Sequence, residues 1–338
     1  MTEVPAKSTV EDQRPAGRPV TGRAVVDMLL RRRELSIALV VIALWLYFTV
    51  TTSAFNTTSN YHTVAQDFAP WAVIAAGEVM LLICGEIDLS AGYMFTLSPF
   101  LLAAFMNNGA PLFLALVGAL AVCACVGVVN GLIVTVLRMP SFITTLGMFF
   151  LLWGAALLES GGSPVPAPSS GAIVSVLGGW KWAELSWAVG IVIIMQVVLS
   201  ATRFGVYTFA VGGNAIAAAE AGIRTRRIKT ANFALCSLLA GFAGIVAGIR
   251  LGSFDPTNGG ADYMFFAVAS AVIGGTALLG GSGTVIGALL GAVALGSVKE
   301  GFNLAGVNAN SFNVVLGIAV LAAMLLNIYL SRFSRAGT

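Results

Sequence analysis

Ten apolar runs, nearly free of charge, alternate with short polar or glycine-rich segments: 35–50, 68–83, 91–106, 111–137, 142–158, 185–201, 231–251, 264–279, 284–298 and 314–330. Runs of this length match a bilayer-crossing helix, which needs about 20 apolar residues. Hydrocarbon admits only structures that satisfy their own backbone hydrogen bonds, so repeated apolar runs read as helices. The pattern predicts an all-α, polytopic membrane protein with about ten transmembrane helices in a single domain, 35–331. Several runs are shorter than a perpendicular crossing, which predicts broken or re-entrant helices whose backbone is covered by protein or water.

The ends differ from this pattern. Residues 1–34 are polar, carry Pro5, Pro15 and Pro19 and contain no apolar stretch, so they are expected to be a disordered cytoplasmic tail and not a signal peptide. Residues 332–338 are expected to be a short cytoplasmic tail. Composition agrees: 58% of the 338 residues are apolar and 10% charged, against about 25% charged in a soluble domain. Too few ionisable groups remain to cover a wet surface.

Charge placement sets the orientation. With ten crossings and an inside start, fifteen of the 18 Lys and Arg fall on one side: seven in the N-terminal tail, Arg138, Arg203, Arg224, Arg226, Arg227, Lys229, Arg332 and Arg335. Lys181, Arg250 and Lys299 are the exceptions. The positive-inside rule therefore places both termini in the cytoplasm. The basic cluster 224–229 reads as orientation and attraction to anionic membrane lipids, not as a nucleic-acid site.

Small residues and carboxylates carry the remaining signals. Gly127 and Gly131, Gly244 and Gly248, and Gly283, Gly287 and Gly291 have the spacing that lets helices approach closely; part of this set could instead line a path that opens and closes. Cys84, Cys123, Cys125 and Cys236 read as small buried hydrophobes, with Cys123 and Cys125 on different helix faces. A carboxylate near the centre of a membrane helix costs about 2.5–3.5 kcal/mol, so Glu78, Glu86 and Asp88 are expected to face protein or water. Asp88 precedes Ser90 at a helix start and reads as an N-cap. Glu78 and Glu86 have no such local role and are candidates for lining an aqueous cavity.

Residues 203–224 encode a short cytoplasmic helix. Asn214 is a good N-cap, the alanine-rich 215–221 favours helix, and Gly222 suits a left-handed C-cap. A two-turn helix is marginal in water, so it needs a surface to pack on: the membrane-side loops, or the groove of a partner protein. Glu220 and Arg224 flank its small-residue surface.

From about residue 55 to 330 the sequence resembles the membrane subunits of bacterial ATP-binding cassette importers, in the ribose-type, simple-sugar permease family. The resemblance rests on the order and spacing of GEIDLSAG at 85–92, Asn130-Gly131-Leu132 leading to RMPSFITTLG at 138–147, GGSP at 161–164, AVGGNAIAAAEAGI at 210–223, LLAGFAGI at 238–245, IGGTALLGGSGTVIGALLGA at 273–292 and EGFNLAGV at 300–307. It implies a subunit of the bacterial inner membrane that works by alternating access beside a second permease, in a homo- or heterodimer. A cytoplasmic ATPase would drive it, and a periplasmic or lipid-anchored solute-binding protein would feed it. By the same resemblance 213–224 is the coupling helix that the ATPase grips, with Asn214, Ala218, Glu220, Gly222 and Arg224 as contacts. Glu78, Glu86, Asp88 and Asn130 are candidates for the translocation path. The binding protein is expected to hand over its cargo at loops 159–184, 252–263 and 300–312, with Arg250, Asp255 and Asp262 as candidates for the docking face.

The chain departs from the family at Glu86, where a small residue is usual, at Met264 and Phe266, where acidic residues are usual, and at Lys299 and Glu300, where uncharged polar residues are usual. It has no Gly-Lys dipeptide and so no P-loop; ATP and Mg²⁺ are expected on the partner ATPase, with no cofactor here. One histidine, His62, makes no metal site, and no Ser, His and carboxylate grouping suggests hydrolysis. A secondary transporter using Glu78, Glu86 or Asp88 as an ion site is the alternative class, and a membrane scaffold is a third. Nucleoside, polyol and autoinducer-like cargoes stay open beside sugars.

Overall fold

A computed structural model describes residues 33–336. In chain order the helices are α1 (Arg33–Thr51), α2 (Thr58–Ile83), α3 (Ala91–Asn107), α4 (Leu112–Val136), α5 (Ser141–Ser160), α6 (Ala172–Leu177), α7 (Ala183–Ala201), α8 (Arg203–Gly213), α9 (Ala215–Glu220), α10 (Thr225–Leu251), α11 (Gly260–Ile273), α12 (Val285–Leu304) and α13 (Ala309–Ala336). Two-residue strands β1 (Val165–Pro166) and β2 (Ser253–Phe254) pair antiparallel. A helix stands at each of the ten apolar runs; among the described residues α1, α2, α4, α5, α7, α10 and α12 are long and apolar enough to cross a membrane, α3 and α11 are shorter, and α13 includes apolar helix at Ser311–Ala323. Crossing length is thus met seven times among the described residues.

Both ends of the expected domain shift. Arg33 and Glu34, assigned to the N-terminal tail, open α1, and α13 continues to Ala336 where a tail was expected from 332. The rest of the N-terminal tail lies outside the described residues.

The bundle is built around α2 and α10. Of the most apolar 18-residue stretch of α2, 89% is buried, and of α10 72%, against 11% for α1 and 22% for α4. Helices buried by protein can be lined with glycine, alanine and polar groups, whereas helices facing lipid stay apolar all round. α10 packs on α4, α3 and α2, and α12 on α2, α11 and α1. The expected glycine seams form these contacts. A Cβ on Gly127 would stand 2.4 Å from the Phe233 carbonyl oxygen, and one on Gly244 would stand 2.0 Å from that of Phe95. Gly291 meets the Ser270 carbonyl at 2.1 Å in the same way. Cys84, Cys123 and Cys236 are buried as expected, but Cys125 is exposed, because two residues along a helix turn the side chain to another face.

Depth can be read from these contacts. At 1.5 Å per residue, Gly244 lies about 28 Å along α10 from Thr225 and about 10 Å from its far end. Gly244 packs on Phe95, and Gly92, one turn earlier on α3, packs against Gly260, where α11 begins. α11 therefore starts within the bundle, near half height, which accounts for its fourteen residues.

Candidate functional site

At the basic end, Asn214 caps α9. Its side-chain oxygen accepts from the amides of Ile216 and Ala217 at 3.1 and 3.0 Å. Gly222 takes φ +83°, the left-handed turn expected after the helix. α8, which the sequence did not reveal as a separate helix, precedes it and anchors it. Ala218 is buried against Cys84 and Val211, and Gly212 approaches Ile83 so closely that a Cβ would stand 1.6 Å from its carbonyl oxygen. That same carbonyl accepts from the Gly281 amide at 2.9 Å. Asn232 donates to the Thr208 hydroxyl at 3.2 Å and to Cys84 Sγ at 3.1 Å. The 203–222 unit is thus bolted to the ends of α2 and α10, while Glu220 and Ile216 stay exposed. Arg224 occupies the N-cap position of α10, without a side-chain capping hydrogen bond.

Glu86 is not an isolated path residue. Lys229 Nζ lies 2.5 Å from its Oε1, across the loop between α2 and α3. With Thr135, Arg138, Ala215 and Arg226 the pair lines an open recess of about 470 Å³ beside α9. Sequence reasoning found no local role for Glu86 because its partner is distant in the chain.

Glu78, Asp88 and Asn130 come together but away from water; each has 0% exposure. The aqueous lining expected for Glu78 is not seen: its carboxylate accepts from the Asp88 amide and from Cys236 Sγ, each at 3.5 Å. Asp88 Oδ1 accepts from the Ser90 amide at 2.9 Å and the Ser90 hydroxyl at 2.5 Å. It closes the turn just before α3 and does not cap a first-turn amide, a modest correction to the N-cap reading. Asn130 donates to the Ser90 hydroxyl at 3.0 Å, tying this turn to α4.

On the opposite side, two of the three cations that break the charge pattern are neutralised. Arg250 Nε lies 2.6 Å from Glu184 Oε2 and Lys299 Nζ 2.8 Å from Asp67 Oδ1. Lys299 also sits 5.3 Å from the Trp71 ring centroid. The Arg250 and Glu184 atoms are close without hydrogen-bond alignment, so their attraction is Coulombic. Arg250 is therefore committed to an internal partner and is a weaker docking group than the sequence suggested. Asp255 caps its own turn, accepting from Thr257 amide and hydroxyl at 2.8 and 2.7 Å. Strands β1 and β2 stitch loop 161–171 to loop 252–259. The third expected loop is largely helix, since α12 runs to Leu304 and buries Glu300.

Asp262 is exposed in the first turn of α11, at the half height derived above. Placement near a helix N-terminus is worth about 0.3–1 kcal/mol, less than the ~2.5–3.5 kcal/mol of a carboxylate at bilayer centre. Asp262 must therefore face water or another protein. Met264 and Phe266 are buried, Phe266 with its ring 4.5 Å from that of Trp71.

A family model described as "Branched-chain amino acid transport system / permease component" matches residues 60–324. The chain is 35% identical over 316 residues to the xylose/arabinose import permease of Sulfolobus acidocaldarius, covering 90% of this chain and 88% of that protein. It is 34% identical over 308 residues to the ribose import permease of Escherichia coli K12, covering 88% and 94%. A probable ABC transporter permease of the same strain is 33% identical over 324 residues, covering 95% and 96%. No solved structure gives a significant match. A chain matched along this length, in a bundle of this kind, belongs to that permease family, whose members are multi-pass membrane transport subunits and not enzymes.

Proposed function

We propose that the chain is the membrane subunit of a binding-protein-dependent ABC importer that passes a sugar across the inner membrane by alternating access. The observation that carries this reading is the capped helix α9, a short exposed element braced by α8 against the ends of α2 and α10. Such an element transmits a push from outside the membrane into the bundle, and a separate ATPase is the source of that push. Asn214, Ala218, Glu220, Gly222 and Arg224 form the coupling segment. Asn214, Ala218 and Gly222 shape and seat it, and Glu220 faces the ATPase. ATP and Mg²⁺ are bound by that partner.

Orientation follows from charge: the basic end with α9 is cytoplasmic, as are both termini. The seven long helices with α3, α11 and α13 make ten crossings, α3 and α11 being supported by neighbouring protein. A second permease, identical or different, completes the path, and a periplasmic or lipid-anchored binding protein docks on the stitched loops, with Asp255 on that face. A sugar cargo rests on relatives named for ribose and for xylose/arabinose import. Deleting residues 215–221 is expected to leave an inserted protein that no longer co-purifies with its ATPase; retained complex and transport would refute the coupling assignment. Uptake that persists without ATPase and collapses with a protonophore would favour an ion-coupled carrier using Glu78 or Asp88.

A further inference from the structure

We propose that the face formed by Tyr93, Phe149, Trp153 and Asp262 is a transient sugar-binding station halfway along the translocation path. The inference rests on the reading of the cargo as a sugar and assigns it a place on this chain.

Three helices put these groups at the same level. Gly92 and Gly260 are in close contact where α11 begins, so Tyr93 and Asp262 belong to one layer. On α5, Trp153 lies twelve residues from Ser141, about 18 Å along a helix about 30 Å long. The Tyr93 and Trp153 rings stack, with centroids 5.6 Å apart and planes 21° from parallel, and Phe149 meets Tyr93 edge-on at 4.5 Å. The Tyr93 ring and hydroxyl reach Gly260, two residues before Asp262, where a Cβ would stand 3.1–3.2 Å from them. Trp153 keeps 40% of its surface exposed, and Asp262 is exposed in the first turn of α11.

An open surface of this kind at mid-depth does not suit hydrocarbon. The carboxylate excludes a lipid contact there, and an interrupted helix in the membrane is tolerated where its end lines a cavity. Gly259 and Gly260, at φ +103° and +60°, make the break that places the α11 start here. The chemistry of the face then selects its visitor. A sugar ring presents apolar C–H groups on its faces and hydroxyls around its edge. Indole and phenol rings accept the first by stacking, a carboxylate accepts hydrogen bonds from the second, and the tyrosine hydroxyl both donates and accepts. The site is a platform and not a pocket, as passage requires binding weak enough to let go.

The test is ATP-driven uptake of labelled D-ribose, D-xylose and L-arabinose into proteoliposomes holding the permease with its ATPase and binding protein. Trp153→Leu and Asp262→Asn are each expected to lower the maximal rate roughly two- to tenfold, the range of one aromatic or polar contact. Trp153→Tyr should restore much of it, and Phe113→Leu, at an exposed aromatic elsewhere, should have no effect. The half-saturating concentration of loaded binding protein should stay unchanged. Unaltered maximal rates in both variants would overturn the proposal. So would a raised half-saturating concentration at intact maximal rate, which marks Asp262 as a docking residue, or loss of the permease dimer in native mass spectra, which marks a subunit contact. If the unmodified complex moves none of the three sugars under ATP, the cargo reading fails first, and the station with it.

Discussion

Replacing Asn214 by alanine isolates the coupling helix from everything else in the bundle. Two of the orphan amides of α9, those of Ile216 and Ala217, are satisfied by the Asn214 side chain, and six residues make a helix with no stability of its own. Loss of an Asn cap costs about 0.5–2 kcal/mol, typically ~1. Spread over a local folding equilibrium this is roughly a fivefold fall in the ordered population, since RT is about 0.59 kcal/mol and 1.4 kcal/mol is tenfold. The bundle should not notice, because Asn214 is exposed and its contacts are local. Affinity of the reconstituted permease for its ATPase, and uptake at limiting ATPase, should therefore drop by about that factor while melting temperature in detergent is unchanged. Asn214→Asp keeps an acceptor and should behave almost as the parent. Parental ATPase affinity and uptake in Asn214→Ala would refute the claim that α9 is what the motor holds.

Other substitutions probe the supports of this unit and the outer ion pairs. Gly212→Ala drives a Cβ into the Ile83 carbonyl and is expected to cut ATP-driven uptake more than ATPase binding, measured side by side. Glu86→Ala and Lys229→Ala should each reduce uptake without loss of expression, and the double variant should be no worse than either, as a double-mutant cycle on one contact requires; additive losses would show separate roles. Glu184→Leu strands Arg250 next to a buried site. Breaking a buried pair costs about 3–5 kcal/mol, less here because the Arg250 side chain keeps 23% exposure, so a clear fall in thermal stability is expected, with recovery in Glu184→Leu/Arg250→Leu. Gly244→Ala should lower the yield of folded protein, since the Phe95 backbone has no room to withdraw.

Helix positions were legible because lipid imposes one rule on every residue of a crossing, and that rule writes itself as apolar length. Glycine seams were legible for the same reason: in a medium without hydrophobic drive between helices, close approach needs missing side chains. The cap at Asn214 and the turn at Gly222 are local signals, read over a few residues. What escaped was long-range. Glu86 with Lys229 and Asp67 with Lys299 join residues 143 and 232 positions apart, and no periodicity records such a partner. Arg250 and Lys299 nevertheless stood out as cations on the wrong side of the charge pattern, and each proves to have a carboxylate beside it. Apolar runs located α3 and α11 but not their shortness, because hydropathy alone does not say which short run is supported by neighbouring protein. Nor does the sequence show how Glu78 and Asp88 are sheltered: residues that avoid lipid by facing water can also avoid it by facing Cys236, Ser90 and Asn130, as these do.

Energy coupling decides the central claim. Proteoliposomes containing the permease, its ATPase and its binding protein should accumulate labelled sugar when ATP is supplied. The permease alone, given only a proton or sodium gradient, should accumulate none. Gradient-driven accumulation by the lone chain, at rates matching the full complex, would contradict the account.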